Sequence, residues 1–196
     1  MAITFPLDMP CTVGFSGVRL RAVNAAASDK SPFTFRQQVV EWPGQQWEAD
    51  ISLPSYWDAD AMRPWTAFLV SLKGPVGTFL LGSRQWRSPR GTVSACTLSG
   101  SAGAETATVT MTGTLLAGDY IQLGTGSAAR LHMVTKDQDG SGSLEIWPAL
   151  RDSYTDATVT FTDPKGVFRL ARNLSEWEID AAGVYGLSFA AVEAIS

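Results

Sequence analysis

The sequence predicts a mainly β fold with one α-helix (α+β): a β-sandwich or split-barrel host domain that carries an inserted small β-barrel domain. Three observations predict it. Turn residues recur throughout, so most segments between them are short. Only residues 53–74 hold an apolar stripe of helical period. From about residue 91 to 164 the composition changes, with only Trp147 of the seven tryptophans inside that stretch.

Residues 33–42 (FTFRQQVVEW) alternate as a strand does, and residues 43–46 (PGQQ) read as a turn. Residues 47–53 return, with Trp47, Ala49, Ile51 and Leu53 on one face, which makes an antiparallel hairpin. The helix follows. Asp58 or Asp60 caps its start, and Pro64, tolerated only near a helix start, favours Asp60. Trp65, Phe68, Leu69 and Leu72 repeat at three and four, and Gly74 stops the helix. The stripe is expected to pack on the inner face of the hairpin. Residues 77–82 (GTFLLG) form a short strand, and SRQWRSPR then gathers Arg84, Arg87 and Arg90.

The middle of the chain is a run of β segments: TVSACTLSG, ATVTMTG, DYIQLG, RLHMVT, SLEIW and ATVTFT. Gly, Asp and Ser turns separate them at the spacing of a small barrel or sandwich. In TATVTMT, Val109 and Met111 share one face while Thr108, Thr110 and Thr112 share the other. GVFRLARN, SEWEID and YGLSFAAVEAI then close the chain in the aromatic style of its first ninety residues. In the last of these Tyr185, Leu187, Phe189 and Ala191 alternate with Gly186, Ser188 and Ala190. The implied organisation is a discontinuous host domain, residues 1–90 plus 165–196, with a β domain of residues 91–164 inserted in one loop. Insertions succeed where two chain ends lie close together at the surface.

Composition narrows the function. Seven Trp and nine Phe in 196 residues supply enough apolar surface to exclude disorder. Only 17% of residues are charged, against about 25% in an ordinary soluble domain, and the mean hydropathy is +0.03. Such a surface meets protein rather than water. The insertion is polar through Thr, Ser and Gly, so this deficit belongs mainly to the host domain. With 15 basic and 19 acidic residues and a net charge of −4, no nucleic acid specificity is expected. Cys11 and Cys96 form no CxxC and read as two ordinary thiols. MAITFPLDMP has no secretory pattern, and the apolar helical stretch is far below the ~20 residues of a membrane span. An intact cytosolic product with no membrane insertion is expected.

No motif assembles a catalytic constellation. His132 is the only histidine and lies in a strand, where a triad or a zinc site would need partners from elsewhere. Glu176, Glu178 and Asp180 share one strand face, and Trp177 and Ile179 the other. Carboxylates paired at about 5–10 Å suit a glycosidase, yet a solvated strand face is the simpler reading. DQDGSGSLE (137–145) opens like a calcium loop, but Pro148 stands at the twelfth position, which leaves a β-hairpin turn. GTGSAAR (124–130) leads into a strand, so no helix N-terminus receives a phosphate. Arg84, Trp86, Arg87 and Arg90 resemble a stacking platform for nucleic acid. The acidic balance instead favours a loop at the mouth of the insertion, its Arg stems packed on Trp86 or facing a neighbouring subunit's acids. Trp42, Trp47, Trp57 and Trp65 are assigned to the core. The expectation is a protein that is not an enzyme, with no catalytic, cofactor-binding or metal-binding residues and no cofactor.

One pattern spans the whole chain. The hairpin, the helix MRPWTAFLVSLKGPVGTFLLG, the inserted β domain and the terminal YGLSFAAVEAI resemble the tail-tip (baseplate) proteins of long-tailed bacteriophages and gene transfer agents. Within these the sequence is most similar to the distal tail protein. WEADISLP (47–54), GPVGTFLLG (74–82) and the C-terminal strand carry the likeness over about half the chain, all of it in the host domain. The resemblance implies a structural virion component: a hexameric ring at the distal end of the tail tube, joining tube to hub. Its partners would be its own copies, the tail tube protein and the tail-tip hub protein. Its place would be the virion tail tip, assembled in the host bacterial cytoplasm. The insertion would project outward as an accessory module. The alternative is a carbohydrate-binding module for host-surface glycans in the inserted β domain, using Trp147 or Tyr154. A third reading is a glycosidase on Glu176 or Glu178.

Overall fold

Period-two alternation decides where the first sheet is buried. Trp47, Ala49, Ile51 and Leu53 all lie inside, as their spacing predicts. The computed structural model describes residues 3–83, 86–181 and 183–195. Among them the first half supplies β1 (Leu7–Asp8), β2 (Gly17–Lys30), β3 (Gln37–Ser52), α1 (Ala59–Ser71) and β4 (Thr78–Leu81). The middle supplies β5 (Ala95–Gly100), β6 (Thr106–Thr112), β7 (Thr114–Leu115), β8 (Tyr120–Leu123), β9 (Arg130–Val134), β10 (Gln138–Asp139), β11 (Gly142–Trp147) and β12 (Tyr154–Thr158). The end supplies β13 (Gly166–Leu170), β14 (Glu178–Ile179), β15 (Tyr185–Gly186) and β16 (Ser188–Glu193). The protein is mainly β with a single α-helix, built on curled antiparallel sheets.

The first sheet runs β1-β4-β13-β16-β3-β2, so the last strands of the chain are seated between the first ones. α1 lies over it. Met62, Trp65, Phe68 and Leu69 are its buried stripe, and Trp65, Phe68, Phe79 and Phe189 meet edge to face or tilted at 5.5–6.4 Å. The cap differs from expectation. Asp58, not Asp60, is the N-cap, and its carboxylate accepts the backbone N–H of Asp60 at 2.9 Å. Pro64 therefore sits inside the helix, where it removes one N–H from the ladder. Asp60 pairs with Arg63 on the exposed side instead.

The predicted hairpin turn at residues 43–46 does not form. β3 passes straight through it and pairs along its length with β2, which the sequence reading left unassigned. The ladder steps from Asn24–Gln45 to Ala26–Glu41, so Trp42, Pro43 and Gly44 bulge opposite Ala25 alone. A bulge is where a strand can hold a proline, because the missing N–H has no partner to lose. Gly44 is required there by contact, since a Cβ would come within 2.9 Å of the Ala25 methyl.

The middle of the chain forms a second sheet, β12-β5-β6-β11-β9-β8. Gln122 of β8 exchanges both backbone hydrogen bonds with Thr160, just past β12, at 2.7 and 2.9 Å. That closes the sheet into a six-stranded barrel filled by Leu98, Val109, Leu115, Ile121, Leu123, Val134 and Leu144. β9 is buried on both sides because it is a shared wall. Leu131 and Met133 join the core of the first sheet, whereas Val134 joins the barrel.

Candidate functional site

The outer half of the β2–β3 hairpin is the part of the molecule that its own fold does not explain. From Asn24 to Lys30 and from Gln37 to Gly44 every residue is exposed, although the two strands remain paired on either side of the bulge. On its other side β3 is covered by β16 only over Glu48–Ser52. The rest is a two-stranded arm with both edges open and both faces in water. Trp42, Val39 and Val40 stand exposed on it. A two-stranded hairpin in water is marginal by itself.

The tip of the arm is a preformed aromatic knob. Ser31 donates its N–H to Arg36 and accepts one from Phe35, each at 2.9 Å. The Ser31 hydroxyl accepts the Thr34 N–H at 3.3 Å. These bonds hold Phe35 at φ 56, a left-handed conformation that a bulky residue adopts only under local constraint. Phe33 is 92% exposed and Phe35 68%. Lys30 lies 4.9 Å over the Phe35 ring, and Arg36 is exposed beside it.

The root of the arm is locked to the barrel. Trp47 donates its indole N–H to the Leu131 carbonyl at 2.8 Å and meets Trp147 edge to face at 4.4 Å. Trp147 in turn donates to the Asn24 side chain at 2.8 Å. Gln45 bonds Glu105 and the Ala149 N–H at 2.6 and 2.7 Å. Arg151 pairs with the buried Glu193 at 2.8 Å and also reaches the Gln45 carbonyl. Glu193 additionally accepts the Trp47 N–H at 3.1 Å. Nothing in the sequence pattern singled out Gln45, Arg151 or Glu193, because Arg151 lies 42 positions from Glu193 and 106 from Gln45.

At the far end of β3 a second exposed patch appears. β14 and β15 form a small hairpin, tied to the sheet by reciprocal Tyr56–Tyr185 bonds at 3.0 and 2.7 Å. It carries Leu174 (69% exposed), Trp177 and Ile179 among Glu176, Glu178 and Asp180. All five residues from 176 to 180 are exposed, and only Glu178–Ile179 of them are strand. A groove of about 450 Å³ runs under Trp177, floored by Leu53 and Leu187 and rimmed by Glu176 and Glu178.

The remaining predicted residues are structural. His132 is fully buried and its Nδ1 bonds the Pro148 carbonyl at 2.8 Å. Burial, with Arg151 and Arg130 nearby, lowers its pKa to about 4 despite that bond. Trp86 stacks on Tyr120 at 5.1 Å. Arg87 faces Asp163, and Arg90 faces Asp119, so these arginines answer acids of their own chain rather than a neighbour's. Arg84 lies outside the described residues. Asp119, which sequence reading missed, accepts N–H groups from Arg90, Gly91 and Leu116 and clasps the entry to the barrel. Residues 137–145 form a β10–β11 turn, and residues 126–128 a single turn feeding β9. Cys96 is buried, which raises its thiol to about 11, whereas Cys11 is exposed. Trp47 and Trp65 are in the core, but Trp42 and Trp57 stand out in solvent, against expectation. Among the described residues no group of three metal-ligating side chains forms and no helix is long and apolar enough to cross a membrane. No protein-family model matches the chain, and no curated protein matches it either.

Proposed function

We propose that the chain is a structural, non-enzymatic tail-tip component: a hexameric ring at the distal end of a phage-type tail tube, joining tube to hub. Residues 1–90 and 165–196 form the ring in this reading, and residues 91–164 are the insertion it carries. The open arm is the observation that supports it. Two paired strands with bare edges, apolar side chains on their faces and an aromatic tip form an aggregation hazard unless a neighbour covers them. A closed ring covers each arm once and leaves none over. The low charge content of the chain agrees with a surface largely given to protein contacts.

The glycan-binding alternative would use two half-buried rings: Trp147, which packs on Trp47 and bonds Asn24, and Tyr154, which lies against the barrel core. Light scattering with negative-stain imaging tests the ring: the purified chain, alone or with a tail tube protein, is expected to give particles of about six copies. A strictly monomeric species at high concentration, with no rings beside tube protein, overturns it.

A further inference from the structure

We infer that the arm tip of one copy docks on the β14–β15 hairpin of the next, Phe33 entering the groove under Trp177 while Lys30 and Arg36 face Glu176 and Glu178. The inference rests on the assembly reading above and names its contact.

Two features carry it. The first is chemical complementarity. The tip presents exposed aromatic rings flanked by two cations. The groove is lined by Leu53, Leu187 and the Trp177 indole together with the carboxylates of Glu176 and Glu178. The tip sets two exposed cations, Lys30 and Arg36, against one acid, Asp29, whereas the groove side carries Glu176, Glu178 and Asp180, so the balance of charge on the two patches is opposite. Charges so arranged fix the register of a contact and penalise wrong ones.

The second is position. The tip adjoins Gln37 at one end of β3, and the groove adjoins Ser52 at the other. Fifteen steps of strand separate them, about 50 Å at the usual rise. One chain therefore cannot satisfy its own tip with its own groove. Two different patches at opposite ends of a molecule make a head-to-tail contact, the kind that closes rings when the rotation permits. The hydrogen-bonded turn at Ser31 also prepays the ordering of the knob, which lowers the cost of docking.

Charge exchange tests the contact on the full chain. One variant carries Lys30→Glu with Arg36→Glu, the other Glu176→Lys with Glu178→Lys, all at exposed positions. Sedimentation and light scattering are expected to show self-association weakened by about tenfold or more in each variant alone. An equimolar mixture is expected to regain the wild-type mass, because alternating copies again bring opposite charges together, and six is an even number. If the wild type assembles and both variants assemble equally well, the contact is overturned while the ring reading stands. A mixture that fails to recover overturns it too. Variants that keep self-association but lose binding to tube protein assign the tip to that other partner and also overturn it. A wild type that stays monomeric under all conditions removes both readings.

Discussion

The barrel and the arm are made of the same antiparallel strands and treat their edges in opposite ways. The barrel brings its outer strands β8 and β12 together through the Gln122–Thr160 bridge just past β12, so its sheet curls back on itself. The arm leaves both edges of a long hairpin bare. In β6 alternation sends every second residue inside, whereas in the outer half of β3 no residue is inside at all. Strand pattern therefore sets which side chains share a face, and closure by other strands sets whether that face is dry. The barrel buries its apolar face within one chain; the outer arm does not.

That contrast predicts unequal sensitivity to truncation. Leu123 is fully buried at the closing strand of the barrel. Leu123→Ala removes its packing and leaves a cavity that neighbouring strands only partly fill, at a cost of about 3–4 kcal/mol. Urea unfolding measures it. A loss below about 1 kcal/mol would mean that the barrel interior collapses freely around the gap, and the contrast with the arm would blur.

The parts of the fold that were legible are those whose reasons are local. The stripe of α1 and the alternation of Trp47–Leu53 and of β6 are written in consecutive residues, and the structure buries them as spaced. The outer half of β2, NAAASDK, was illegible because it is exposed throughout and so shows no alternation. Pro43 and Gly44 carry turn chemistry, but thirteen paired residues of ladder with β2 override it and convert the turn to a bulge. The candidate site was half visible. The acids near Trp177 stood out by spacing, while the arm depends on what fails to cover β3, a fact no local pattern holds. Trp42 and Trp57 misled for the same reason: aromatic character predicts a partner without saying that it lies in the same chain.

The barrel wall also predicts a pH effect. His132 is buried neutral with a pKa of about 4, below the usual 6.5 that it recovers on unfolding. The unfolded chain therefore takes up a proton first. Stability is full above about pH 6.5 and falls as pH drops toward 4, by about 3 kcal/mol from this group. His132→Leu is expected to flatten the loss between pH 6.5 and 4, read as the urea midpoint at several pH values. An unchanged slope would place the acid sensitivity elsewhere.

The smallest effect falls on the arm, and its smallness is the point. Phe33→Ser and Val39→Thr delete apolar surface that is 92% and 65% exposed. In dilute protein, where any assembly is dissociated, each is expected to change unfolding free energy by less than about 0.5 kcal/mol. At high concentration the same substitutions are expected to lower association, because the surface they remove is the surface another copy would cover. A shift above about 1 kcal/mol in the dilute chain would show the arm already packed at home, and the opposition between a self-closed barrel and an open arm would fail. Equal stability with weakened association would locate the function of these side chains between chains rather than within one.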